Sequence, residues 1–309
     1  MIDPRLQALR ALHQHGTVAA AAEALSLTPS TVSHQLRQLS RDLGVALLRP
    51  AGRNVQLTPA AHLVLDHANI MYKQWEEAKA DLALQREGQA GQLRLCGVSS
   101  AVAALLAPAA VRLRTTHPRL AVQVWEEHSA DCFSSLLTEK TDIAVLIPTG
   151  DNPPPNDARF DQYPLLDEPE DLLVSKEHPL AARSKVELRD AAHESWVETP
   201  DRPDQFDVLR TACAAAGFTP RIVHHAKEWF AVSALVAHGF GVCLIPRLVP
   251  VPPEHAVSRI PLAGNVIPSR RLIIALRRGS RNQPAIAAGL DALRAIADEI
   301  AETATPTVT

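Results

Sequence analysis

The chain has 309 residues, 46% hydrophobic but only 4% aromatic, so two domains can each bury a core, built mainly of Leu, Val, Ile and Ala. No early segment joins a basic start, an apolar run and a small-residue cleavage site, and no apolar run approaches ~20 residues. Export and membrane insertion are therefore not expected, and the expected compartment is the cytoplasm. The four cysteines, Cys96, Cys132, Cys213 and Cys243, form no C-x-x-C, so neither a metal nor a disulfide framework is indicated, and no cofactor is expected.

In chain order, Leu6, Leu9 and Leu12 recur at helical spacing and Gly16 ends that segment. Thr17 can cap an alanine-rich helix over 18–25, whose small side chains allow close approach of its neighbours. After the turn Ser26-Leu27, Thr28 can cap and Pro29 can open a helix running to residue 43. Val32, Leu36, Leu39 and Leu43 form its apolar stripe. Ser30, His34, Arg37 and Arg41 lie opposite, with Thr31 and Ser33 on the flanks. Helix, tight turn and a second helix with a polar front is the helix-turn-helix plan, whose second helix enters the major groove. Residues 47–57 read as two short strands around a Pro/Gly turn, a wing carrying Arg49 and Arg53. The whole chain is formally −3, yet within 1–58 six arginines (Arg5, Arg10, Arg37, Arg41, Arg49, Arg53) face three acids (Asp3, Glu23, Asp42). A local basic excess of this kind is the footprint of a DNA module.

The run Ala21-Ala22-Glu23-Ala24-Leu25-Ser26-Leu27-Thr28-Pro29-Ser30-Thr31-Val32-Ser33-His34-Gln35-Leu36, then Leu39, Leu43-Gly44, Leu47-Leu48, Arg53 and Leu57-Thr58-Pro59, resembles the amino-terminal domain of LysR-type transcriptional regulators. The resemblance extends through the rest of the chain in order and length. It implies base contacts at Ser30, Thr31, Ser33 and His34, with Thr17, Arg37, Arg49 and Arg53 on phosphates. There are departures. Many members have Gln-Pro where this chain has Pro29-Ser30, and Arg in place of His34, so a familiar base contact is lost; Leu48 and Ala61 replace the usual Phe and Gly.

Thr58-Pro59 opens a longer helix to about residue 87, with Val64, Ala68, Met71, Trp75, Ala78 and Leu82 on an a/d stripe that asks for a partner helix. The resemblance likewise implies dimerisation here, and a homodimer or tetramer reading inverted-repeat promoter DNA. Residues 87–91 read as a hinge. Strand-like runs at 93–98, 122–125 and 142–147 then alternate with helices at 101–114 and 131–139, as in βαβ units. A proline cluster (Pro153, Pro154, Pro155) and a polar loop follow. Further strands are expected at 171–174, 196–198, 222–224 and 241–246, with helices at 204–216 and 229–237. After a second proline-rich loop come a strand at 271–276 and a helix at 284–301.

The fold class expected is α/β: an N-terminal winged helix-turn-helix plus long linker helix, then a two-lobed effector domain similar to periplasmic solute-binding proteins. The expected division is 1–58, 59–90 and 91–309, with lobe I at 91–163 and 269–301 and lobe II at 164–268. Ser99 and Ser100 follow the first strand, where hydroxyls, amides and a positive helix end suit a carboxylate or other anion, although the same residues could simply be helix caps. The resemblance favours ligand contact, and implies the same for Thr149, Thr199, Trp229 and Phe230, although aromatics such as the last two are more often core than ligand shelf. Its partners would be duplex promoter DNA, a small anionic effector, RNA polymerase and a second copy. Two rival readings remain: a solute-binding sensor whose head contacts protein, and an α/β hydrolase using Ser99. The local arginine excess opposes the first; the absence of G-x-S-x-G opposes the second, and no phosphate-loop or H-E-x-x-H motif is present. His224 and His225 are adjacent on a strand and point to opposite faces, so they cannot share a metal. A redox-sensing branch of the family uses a cysteine pair; nothing local marks Cys213 or Cys243 as activated.

Overall fold

The computed structural model describes residues 2–52, 54–84, 91–199, 203–264 and 267–304. Its first unit packs α1 (Pro4–His15), α2 (Val18–Ala24) and α3 (Pro29–Asp42) around Leu9, Leu12, Ala21, Val32, Leu36 and Leu39. Asp3, Thr17 and Thr28 cap these helices by accepting from Arg5 N, Ala20 N and Thr31 N respectively. Leu43, expected on the apolar stripe, instead lies past the end of α3 and is 47% exposed. The helix stops at Asp42, so the periodicity no longer applies to it. Strands β1 (Leu48–Ala51) and β2 (Asn54–Leu57) pair antiparallel as the wing.

Thr58 ties the wing to the long helix α4 (Pro59–Leu84): its Oγ1 donates to Ala46 O and accepts from Ala61 N. One face of α4, from Ala61 through Leu65, Ala68 and Tyr72 to Glu76 and Ala80, is buried within the chain. Ala68 therefore belongs to the head's own core rather than to a stripe awaiting a partner. Met71, Trp75 and Leu82 of that stripe are exposed, together with Leu63, Ile70 and Leu84. The expected hinge at 87–91 lies, but for Gly91, outside the described residues.

The remainder is built on an eight-stranded sheet in the order β4 (Leu120–Glu126), β3 (Gly91–Gly97), β5 (Ile143–Leu146), β12 (Ser269–Arg277), β6 (Phe160–Ser175), β11 (Val257–Ala263) and β7 (Val186–Glu187), with β10 (Cys243–Pro246) also paired to β6. In the first lobe β3 (Gly91–Gly97) runs parallel to β4 (Leu120–Glu126) and β5 (Ile143–Leu146). Between β3 and β4 lie α5 (Ser99–Ala101), a π-helical stretch Val102–Leu106 and α6 (Ala107–Thr116), forming one continuous helical run. Pro108 accounts for the widened turn, because it has no amide and its ring crowds the carbonyl four residues back. Helix α7 (Ser129–Leu137) covers one face, while α6 and α10 (Pro284–Ala304) cover the other over Leu93, Leu95, Ile143 and Val145.

The two lobes share β6 (Phe160–Ser175) and β12 (Ser269–Arg277). The first half of β6 pairs with β12, and the second half with β10 (Cys243–Pro246) and β11 (Val257–Ala263). The register shifts between Leu272, opposite Leu166, and Ile273, opposite Pro164, leaving Leu165 as the extra residue of a bulge beside the proline. The first half of β6 stands where the sequence predicts a polar loop. The second lobe adds β7 (Val186–Glu187), a parallel pair β8 (Ser195–Glu198) and β9 (Arg221–His225), and helices α8 (Pro203–Ala215) and α9 (Trp229–Ala237). Trp196, Leu172, Val174 and Leu244 centre its core.

Candidate functional site

Two surfaces gather functional groups. On the head, burial of Val32, Leu36 and Leu39 turns the polar side of α3 outward. Ser30 is exposed and Thr31 half-buried, and both hydroxyls hydrogen-bond Thr28 Oγ1 at 2.8 Å. Ser33 is half-buried; His34, Arg37 and Arg41 are exposed along the same helix. His34, Arg37, Ser40 and Arg41 line an open groove of about 670 Å³ against Gly44, Val45 and Ala46. Arg49 extends the cationic surface onto the wing, where its Nη2 donates to Gln56 Oε1 at 3.1 Å. Thr17 caps α2 and is half-buried. Arg53 lies outside the described residues.

The basic excess divides sharply. Arg5 is consumed locally, bound to Asp3 at 2.6 Å and Asp42 at 2.5 Å. Arg10 is buried, donating to Asn69 Oδ1 at 3.0 Å and lying 4.0 Å over the Tyr72 ring; burial pushes its pKa down to about 10. Among the described residues Arg37, Arg41 and Arg49 pair with no carboxylate, so the unspent charge sits on α3 and the wing.

The second surface is a cavity of about 430 Å³ between the lobes. Ser99, Ser100 and Ala103 line it from the first lobe; Glu228, Trp229, Phe230 and the Val249–Pro253 run line it from the second. Ser99 and Ser100 stand where β3 turns into the helix. Gly97 is required just before them, since a Cβ there would meet Val145 O at 2.5 Å. Four of the six residues expected to touch an effector thus meet. Thr149 does not: its amide and hydroxyl donate to Asn152 Oδ1 at 2.9 and 3.2 Å, closing a turn. Thr199 is buried at a separate small cavity with Glu198, Gln205, Phe206 and Cys243, its hydroxyl without a hydrogen-bond partner among the described residues.

Sequence reasoning missed the polar cluster behind Ser100. Arg270 Nη2 donates to Ser100 Oγ at 2.7 Å, and Arg270 Nε donates to Glu168 Oε2 at 2.9 Å, all three residues being buried. Leu248 N from the second lobe donates to Glu168 Oε1 at 2.9 Å. Glu170, also buried, accepts from Gln205 Nε2 at 3.2 Å, and burial pushes its pKa up to about 8. The cleft wall is therefore mostly apolar. Its Ser100 hydroxyl is backed by a guanidinium that Glu168 already neutralises.

The cysteines are buried. Burial pushes the Cys213 thiol up to about 12 and the Cys243 thiol higher still, the opposite of the electropositive, exposed setting that activates a thiolate. His224 packs edge-on to Phe240 and His225 Nδ1 lies 3.1 Å from Glu198 Oε2, on opposite faces of β9 as alternation requires.

Comparison with known proteins finds relatives of both parts of the chain. Residues 4–62 match the family model described as bacterial regulatory helix-turn-helix protein, lysR family, and residues 86–298 match the LysR substrate binding domain. The chain is 29% identical over 272 residues to the DNA-binding transcriptional dual regulator OxyR of Escherichia coli K12, covering 88% of this chain and 87% of that protein. It is 29% identical over 306 residues to a probable HTH-type transcriptional regulator, LrrA, of Synechococcus elongatus, covering 97% and 98%. Full-length OxyR of Pseudomonas aeruginosa shares the fold with a TM-score of 0.64 at 22% identity, covering 95% of each chain.

Proposed function

The chain belongs to the LysR family of transcriptional regulators, and on that premise we propose how its own residues read DNA and sense an effector. It is a DNA-binding transcriptional regulator with an effector-binding domain. The family is one of regulators that bind promoter DNA and small-molecule effectors and assemble into oligomers.

In our reading, residues 1–58 read DNA, 59–90 link and dimerise, and 91–309 sense. Ser30, Thr31, Ser33 and His34 meet base edges, while Thr17, Arg37, Arg49 and Arg53 hold phosphates. The observation that carries this is the partition of the arginines. Arg5 and Arg10 are spent inside the head, whereas Arg37 and Arg49 remain exposed on the face that presents the α3 hydroxyls. The exposed Met71, Trp75 and Leu82 stripe of α4 supports pairing with a second copy, which sets two α3 helices against one inverted repeat.

The effector is a small carboxylate lodged between Ser99 and Ser100 on one side and Trp229 and Phe230 on the other. Hydroxyls and a helix start suit the anion, and the aromatic and proline wall suits an apolar body. Occupancy changes how the paired heads engage promoter DNA and RNA polymerase, provided the effector binds the two arrangements with different affinity. The compartment that follows from promoter binding is the cytoplasm. Thiol sensing by Cys213 and Cys243 is disfavoured by their burial.

Selection of duplexes from random DNA tests the reading. The expected product is an inverted repeat with half-sites about one helical turn apart, or a multiple of it. Ser33→Ala should relax base preference and cost about 1–3 kcal/mol on the selected site. Recovery of random sequence, with Ser33→Ala indistinguishable from the parent, would remove α3 as the reading element.

A further inference from the structure

The linker helix does not simply leave the head; it is fastened to the first lobe of its own chain by a buried ionic cluster. Glu76 of α4 is 2% exposed and faces β12 and the start of α10. Its carboxylate meets Lys79 Nζ at 2.5 Å, accepts from Gln283 Nε2 at 2.7 Å and lies 3.4 Å from Arg277 Nε. Arg277, buried as well, donates to Asp142 Oδ1 at 2.9 Å and to the Thr141 carbonyl. Asp142 is gripped from its other side by Arg94, whose Nε donates to Oδ2 at 3.0 Å and Nη2 to Oδ1 at 2.8 Å. Lys79 also reaches Glu139 at 3.4 Å. The backbone follows closely: Gly279, at φ +87°, passes α4 so near that a Cβ would stand 2.7 Å from Lys73 O. Further along the same seam His15 Nε2 lies 3.0 Å from Ser134 Oγ.

We propose that the Glu76–Arg277–Asp142 cluster is a latch that docks α4, and the DNA-reading head with it, on the first lobe of the same chain. Strand β12 gives the latch a route to the cleft, resting on the effector reading above. It carries Arg270, hydrogen-bonded to Ser100 in the cleft wall, near one end and Arg277, ion-paired with Glu76, at the other. Seven residues of strand separate the two arginines by about 23 Å. A shift of β12 that follows occupancy of the cleft acts on the latch, which has a docked and a released state. Buried ion pairs suit such a two-state element, because losing one partner leaves the other charge uncompensated.

Pulsed dipolar spectroscopy on the full chain tests the latch. Spin labels go on Glu23→Cys in the head and Arg114→Cys in the first lobe, both exposed. The four native cysteines are buried, and labelled subunits are diluted into an excess of unlabelled chain. The otherwise unsubstituted chain should give one narrow intrachain distance. Glu76→Gln should raise the released population at least about tenfold, seen as a second, broad component. Gly279→Ala should do the same by steric pressure on α4 at Lys73 and Glu77, without removing a charge. Unchanged distributions in both variants would overturn the latch. Duplex binding is measured alongside: its absence in all chains would sink the DNA reading, while the distances would still decide the latch.

Discussion

The head and the sensor use charge in opposite ways. On α3 and the wing, Arg37, Arg41 and Arg49 stand in water with no carboxylate partner among the described residues. Around the cleft, Arg270, Glu168 and Glu170 are buried and bonded to one another or to Ser100, Gln205 and Leu248. Exposed cations attract a polyanion at range and are screened by salt. Buried pairs contribute little to attraction, but they fix geometry and cost heavily when broken. In the proposed reading, affinity for DNA therefore resides in groups that the fold can lose cheaply. The sensor's shape resides in groups it cannot lose.

Substitutions can break or sharpen that contrast, starting with the largest effect. Arg270→Ala leaves Glu168 buried without its counter-ion and removes the donor to Ser100. It should destabilise the effector domain by about 3–5 kcal/mol, read as a lowered urea midpoint. Glu170 gives a pH signature. Its folded pKa, about 8, lies above the ordinary 4.5, so its contribution to stability is full below 4.5 and is lost as pH rises towards 8. Glu170→Gln should flatten the melting temperature across that window; an unchanged slope would show that another group carries it. Arg49→Ala, on the head, should leave the melt within about 0.5 kcal/mol of the parent. Its effect should appear only on DNA. An equally large loss of fold stability there would erase the contrast.

The head was legible because its signals are local. Thr17 and Thr28 cap where the residue types said they would, and the Val32-Leu36-Leu39 spacing faces the core. Leu43 misled because a period continues on paper after the helix has stopped. The strand–helix turn at Ser99 and Ser100 and the helix starting at Trp229 were readable for the same reason. The first half of β6 was not, since Pro164, Pro169 and a run of acids argue for a loop in any local window. Its acids are tolerated because distant arginines meet them: Arg270 reaches Glu168 across 102 residues of sequence. Thr149 and Thr199 show the converse. A hydroxyl at the right point of a repeat can be claimed by Asn152 or turned into a different cavity. Which cations are free was likewise invisible in the count of six, because it depends on Asp42 reaching Arg5 and on Tyr72 lying beneath Arg10.

The central claim is that unpaired cations of α3 and the wing hold the phosphates of duplex DNA. Fluorescence anisotropy of the full chain on a labelled duplex, titrated over a series of salt concentrations, tests it directly. Log affinity should fall linearly with log salt, and Arg49→Ala should reduce the slope by about 0.9. An affinity indifferent to salt, or a slope that Arg49→Ala leaves untouched, would contradict it.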